Sequence, residues 1–158
     1  MNVPVGAVGS MSPKVLPGMV EQRFGRIDIV ASPPGYLPGT PNSTLYAAAK
    51  SFLIRFSASL HLENLSTGVH VSALCPGLTY SEFHDVNASR ARISEGTPTW
   101  MWMGADEVAA TGYEAAEANR PVCVTGVPNK AIAAVAKLLP EDWALALMAS
   151  QGARFRKV

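Results

Sequence analysis

Residues Leu45 to Leu60 read L-Y-A-A-A-K-S-F-L-I-R-F-S-A-S-L, and this stretch decides the fold. Leu45, Ala49, Phe52, Leu53, Phe56 and Leu60 recur at i, i+4, i+7, i+8, i+11 and i+15. At about 100° per residue they fall in one arc of about 100°, which predicts an amphipathic helix of about twenty residues. Asn42, Ser43 and Thr44 are the available N-caps. Tyr46 and Lys50, four apart near the start, share a face just beyond the edge of that arc. The arc then packs on a sheet while the pair faces a cleft.

Two apolar runs flank this helix. Ile27 to Ala31 has the pattern of a short buried parallel strand, followed by a turn-rich stretch from Ser32 to Ser43 with four Pro and two Gly. After Gly68, Val69 to Leu74 predicts a second buried strand that ends in Pro76-Gly77. Further out, Val15 to Phe24 reads as the end of a helix with Gly25 as its stop. Residues 1–13 hold two Gly and two Pro and are expected to be loosely structured. Tyr80 to Met103 reads as irregular and aromatic. Ala105 to Asn119 predicts a helix introduced by Gly104, and Pro121 to Val127 a third strand. Ala131 to Leu139 and Trp143 to Met148 predict helices split by Pro140. The alternation of helix and strand predicts a single α/β domain, a parallel sheet with helices on its faces.

Composition narrows the function. The 158 residues suggest one domain. Apolar residues at 48% and charged residues at 16% exclude a disordered tail or a coiled coil. Thirteen basic against twelve acidic side chains give a net charge of +1, which points to neither nucleic acid nor an anionic membrane. Two cysteines, Cys75 and Cys123, make no disulfide scaffold, so a reducing, cytoplasmic setting is expected. No stretch approaches the ~20 apolar residues of a membrane span. Met1 to Met11 lack a basic n-region, so no signal peptide is expected. The sequons at Asn42, Asn64 and Asn87 then meet no glycosylating compartment. His61, His70 and His84 show no ligand spacing, so no metal site is expected.

A tyrosine hydroxyl titrates near ~10, and a neighbouring ammonium favours its ionised form. Tyr46 with Lys50 therefore suits proton transfer to a carbonyl or alcohol oxygen. The spacing alone is weak: four Tyr and five Lys in 158 residues give about 0.13 chance matches. Position strengthens it. Ser32 follows one predicted strand and Pro76-Gly77 follows the next, and ligands of open α/β sheets bind outside the carboxyl ends of the strands.

The motifs A-S-P-P-G at Ala31 to Gly35, L-Y-A-A-A-K at Leu45 to Lys50 and C-P-G-L-T-Y-S-E-F-H at Cys75 to His84 resemble those of the short-chain dehydrogenase/reductase family, over roughly Val15 to Val127. The resemblance implies a Rossmann-like, doubly wound parallel sheet and hydride transfer between NAD or NADP and a carbonyl/alcohol pair. It implies that Tyr46 gives or takes the proton, that Lys50 assists it and holds the nicotinamide ribose, and that Ser32 hydrogen-bonds the substrate oxygen. It places Pro76, Gly77, Leu78 and Thr79 along the nicotinamide, with Ser81 as a further contact. Trp100 to Met103 would form an apolar lid, favouring an apolar substrate, with plain packing as the alternative. His84 is read as a residue without a role, with a place beside the substrate cleft as the alternative.

The family's Gly-rich turn contains G-x-G, and no two of the thirteen glycines here lie two residues apart. At about thirty residues per βαβ repeat, roughly four strands and over 100 residues would precede this region, so it is read as an incomplete, C-terminal half with about three strands. The chain alone is then expected to bind NAD(P) at best very weakly. The family's catalytic Asn has no counterpart other than Asn2, which is given no role. Asp28 puts a charge inside a strand and should be paired, protonated or exposed. The alternatives to an enzyme are a non-catalytic chain that pairs with itself or with intact relatives through the long helix, and a gene-model fragment without activity.

Overall fold

The computed structural model describes residues 3–41, 43–80 and 98–154. Helix α1 (Val3–Glu21) leads into strand β1 (Gly25–Val30) and a 3-10 turn (Pro33–Tyr36). Helix α2 (Thr44–Glu63), strand β2 (Val69–Cys75) and strand β3 (Leu78–Tyr80) follow. A second 3-10 turn (Thr99–Met101) precedes β4 (Trp102–Gly104), α3 (Ala105–Glu117), β5 (Val122–Val124), α4 (Val127–Leu138) and α5 (Glu141–Arg154). The main sheet is parallel with order β1-β2-β5.

Side-chain alternation along the strands divides the core in two. Ile29, Ala31, Val69, Val71 and Cys75 pack beneath Leu53, Ile54 and Leu60 of α2, with Val8, Leu16, Met19 and Val20 of α1 against the same cluster. On the opposite face Leu74 joins Val108, Ala115 and Cys123 under α3. Arg26 ties that face down: its Nε and Nη2 donate to the two carboxylate oxygens of Glu117 at 3.0 and 3.1 Å. Helices on both faces of a parallel sheet are the expected α/β arrangement, and the sheet is incomplete.

Four local expectations need correction. Residues 3–13 belong to a helix. Val8, Ser12, Leu16 and Met19 recur on one face, and the exposed Pro13 and Pro17 lie off it, so packing overrides the lost hydrogen bonds. Gly25 does not stop α1. Arg23 does, at φ 52°, with Phe24 N–H donating to Met19 O and Arg23 N–H to Val20 O. At the ends of the Tyr80–Met103 stretch β3 and β4 pair in parallel (Leu78 with Trp102, Tyr80 with Gly104). Finally, α2 sits rotated by roughly a quarter turn from the predicted arc. It buries Ala47, Leu53, Ile54, Ser57, Leu60 and His61, while Leu45 is 69% and Phe52 40% exposed. Small Ala47 and Ser57 let the helix lie close to the sheet, and His61 is satisfied by Val71 O at 3.1 Å. A hydrophobicity pattern misses that face because two of its members are polar.

Candidate functional site

The carboxyl ends of β1 and β2 gather the expected residues. Ser32 leaves β1 in extended conformation (φ −170°, ψ 152°) and opens the 3-10 turn, with Gly35 N–H donating to Ser32 O at 3.0 Å. Gly35 then presses on α2: a Cβ there would stand 2.7 Å from the Lys50 carbonyl carbon and 2.8 Å from Ser51 N. Only a glycine lets this turn dock on the second turn of the helix. Docking brings Lys50 over β1, where its Nζ donates to Val30 O at 3.0 Å, two residues before Ser32. The same ammonium lies 5.7 Å from the centre of the Tyr46 ring. Burial holds the Lys50 ammonium below its ordinary pKa. Tyr46 and Lys50 therefore stand on the sheet-facing side of α2, not at its margin. Ser32, Tyr46 and Lys50 are all half-buried.

Pro76, Gly77, Leu78 and Thr79 form the second wall, all half-buried. Thr79 Oγ1 donates to Gly77 O at 3.1 Å and closes the turn. Behind it stand two residues the sequence reading did not single out. Thr125, fully buried, offers its hydroxyl to Gly77 N–H at 3.4 Å. Asn129 donates from Nδ2 to Thr125 O at 2.9 Å. A Cβ on Gly77 would run into the Asn129 carboxamide. The stretch T-G-V-P-N at Thr125 to Asn129 carried a signal: Gly126 two residues before Pro128 marks a sharp exit from β5 at the same sheet edge.

Ser81 and His84 lie outside the described residues, as do Asn42 and Asn87. Asn64 is buried and donates to Leu60 O at 2.8 Å. The expected lid divides. Trp100 is exposed, whereas Trp102 is buried in β4 and stacks on Tyr80 with ring centres 5.0 Å apart, so it belongs to the packing. Cys75 is a core residue, and its burial pushes the thiol up to about 11. Among the described residues no cluster of three His, Cys, Asp or Glu is placed to hold a metal, and no helix is long and apolar enough to cross a membrane. Grooves of about 350 Å³, beside β5, and about 620 Å³, between α2 and the last two helices, are lined by neither Tyr46 nor Lys50.

A model of the short chain dehydrogenase family matches residues 1–91. The chain belongs to the short-chain dehydrogenase/reductase family. It is 42% identical over 76 residues to the human very-long-chain 3-oxoacyl-CoA reductase, across 48% of this chain and 24% of that protein. It is 31% identical over 77 residues to the oxidoreductase UcpA of Escherichia coli, across 49% of this chain and 29% of that protein. The matched stretch thus spans about a quarter of the length of these curated relatives. In fold, the dehydrogenase chain resembles a short-chain dehydrogenase from Sphingobium yanoikuyae solved with NADPH: TM-score 0.64 and 22% identity, over 99% of this chain and 55% of that one.

Proposed function

We propose that this short-chain dehydrogenase chain carries the proton-transfer half of an NAD(P)-dependent oxidoreductase that interconverts a carbonyl and an alcohol. The observation that supports it most is the Lys50 ammonium, anchored on Val30 O at 3.0 Å and 5.7 Å from the Tyr46 ring, at the carboxyl edge of the sheet. The nicotinamide end of the cofactor fits the residues present. Gly77 leaves no room for a side chain, so bare backbone faces that edge beside Leu78 and Thr79. The residues hold no G-x-G turn for the pyrophosphate.

When bound, NAD(P) supplies or accepts the hydride. Tyr46 Oη donates its proton to the substrate oxygen during reduction and takes it back during oxidation. Lys50 stands beside the Tyr46 ring and offers N–H donors to the ribose. The Ser32 hydroxyl hydrogen-bonds the substrate oxygen, and Pro76 to Thr79, with Ser81, border the nicotinamide. Tyr80 and the exposed Trp100 give the neighbouring surface an aromatic character that suits an apolar substrate.

The test is a protein in which this chain follows a dinucleotide-binding half that carries the glycine-rich G-x-G turn. It should reduce ketones with NADPH or NADH. Tyr46→Phe should lower kcat by about 10²–10⁴-fold and leave cofactor affinity nearly intact. Activity of Tyr46→Phe within a few-fold of the parent removes Tyr46 from the mechanism.

One observation favours a second reading, a non-catalytic chain that pairs with itself or with intact relatives. Leu45, Phe52 and Leu62 line the outer side of α2 exposed, and Phe52 stacks on Phe56 with ring centres 5.7 Å apart. On this reading the chain changes the sedimentation of an intact relative, and unchanged sedimentation of the mixture rejects it.

A further inference from the structure

Pro76 has no N–H, so the turn after β2 has a single backbone donor at its bend, Gly77. That donor goes to Thr125 Oγ1 at 3.4 Å. The Thr125 N–H donates to Cys75 O at 3.2 Å, one residue before the proline. One fully buried residue therefore grips the chain on both sides of Pro76. Thr125 is itself held: its carbonyl accepts from Asn129 Nδ2 at 2.9 Å, across the first turn of α4. Asn129 is buried, and its carboxamide fills the space a Gly77 side chain would need. Gly126, at φ 76°, makes the bend that lets α4 start directly over the turn.

From this geometry we infer that Thr125 and Asn129 are positioning residues for the cofactor turn, and that the start of α4 sets where Gly77 and Leu78 stand. The inference rests on the proposed dehydrogenase function insofar as the turn borders nicotinamide; the latch itself does not depend on it. A hydroxyl at 125 and a carboxamide at 129 fix the backbone from behind, where neither touches the cofactor. Valine at 125 keeps nearly the same shape and removes the acceptor, leaving Gly77 N–H to water.

The experiment is hydrogen–deuterium exchange of the full chain, read at the Gly77 amide by fragmentation mass spectrometry. Thr125→Val should speed exchange at Gly77 about tenfold or more, with the β2 amides of Val71 and Ala73 unchanged. Thr125→Ser should restore it to within about threefold, which a merely structural loss of packing would not do. Asn129→Ala should also speed Gly77, and carries the comparison if Thr125→Val does not fold. Equal Gly77 exchange in the parent and in whichever variants fold overturns the latch. Millimolar NADPH should then slow Gly77 in the parent and in Thr125→Ser, and not in Thr125→Val. A parent whose Gly77 ignores NADPH while Thr125→Val still exchanges faster keeps the latch and removes the turn's assignment to nicotinamide.

Discussion

Asp28 sits mid-strand in β1, open to solvent along the sheet edge and pressed on its other side against α3, where a Cβ on Gly112 would stand 2.9 Å from its Oδ2. Loss of water on that side raises its pKa from 3.8 to about 6, softened by a hydrogen bond from the Leu74 backbone. At about 1.4 kcal/mol per pH unit, this gap is worth at most about 3 kcal/mol between the two protonation states. Solvent screening along the open edge reduces it to about 1 kcal/mol. The folded state holds the proton more tightly than the unfolded one. The stabilisation is therefore complete below about pH 3.8 and is lost as pH rises to about 6. Asp28→Asn keeps the shape and cannot ionise. Urea unfolding followed by tryptophan fluorescence at pH 4, 5, 6 and 7 should show the variant gaining on the parent across that range. It should be about 1 kcal/mol more stable at pH 7. A difference that stays constant from pH 4 to pH 7 refutes the reasoning.

Lys50→Ala, in the fused protein, should weaken cofactor binding and lower kcat together, since one ammonium serves the ribose and the phenol; normal values for both make Lys50 a strand-edge lysine only. The chain by itself should show no micromolar affinity for NADH or NADPH by calorimetry and no reductase turnover, and micromolar binding by a monodisperse monomer would disprove this. Light scattering should find it oligomeric, with Phe52→Glu shifting the mass downward; a parent mass equal to that of Phe52→Glu rejects the α2 face as the contact.

β1, β2 and the parallel character of the sheet were legible because Ile27 to Ala31 and Val69 to Leu74 are short apolar runs between turn residues. β1 starts two residues earlier than its run, since pairing with β2 begins at Gly25 opposite Val69. The gathering of Ser32, Lys50 and Gly77 at one sheet edge followed from strand-end logic, whereas the docking of Gly35 on α2 did not. What was not legible is what tertiary packing decides. The Gly and Pro of residues 1–13 hid the first half of α1, because their cost is local and the gain from Val8, Leu16 and Met19 is not. The facing of α2 was missed because Ser57 and His61 are buried where large apolar residues were expected. Thr125 and Asn129 carry no reactive group, and only their distance from Gly77 gives them a role.

The bond from Lys50 to Val30 has a consequence for assembly. Ala31 N–H points to Leu74 O, so by the alternation of the ladder the carbonyls of Arg26, Asp28 and Val30 point away from β2. Lys50 Nζ occupies the last of these three. A foreign strand pairing alongside β1 would find acceptors at Arg26 and Asp28 and then a charged stopper at Val30. Such a strand could zip along only the first part of β1 unless it displaced the ammonium. The ammonium keeps two further N–H donors, so a ribose hydroxyl could bind Lys50 with the Val30 bond intact and the stopper in place. The residue proposed to hold the cofactor would then also cap the open strand edge.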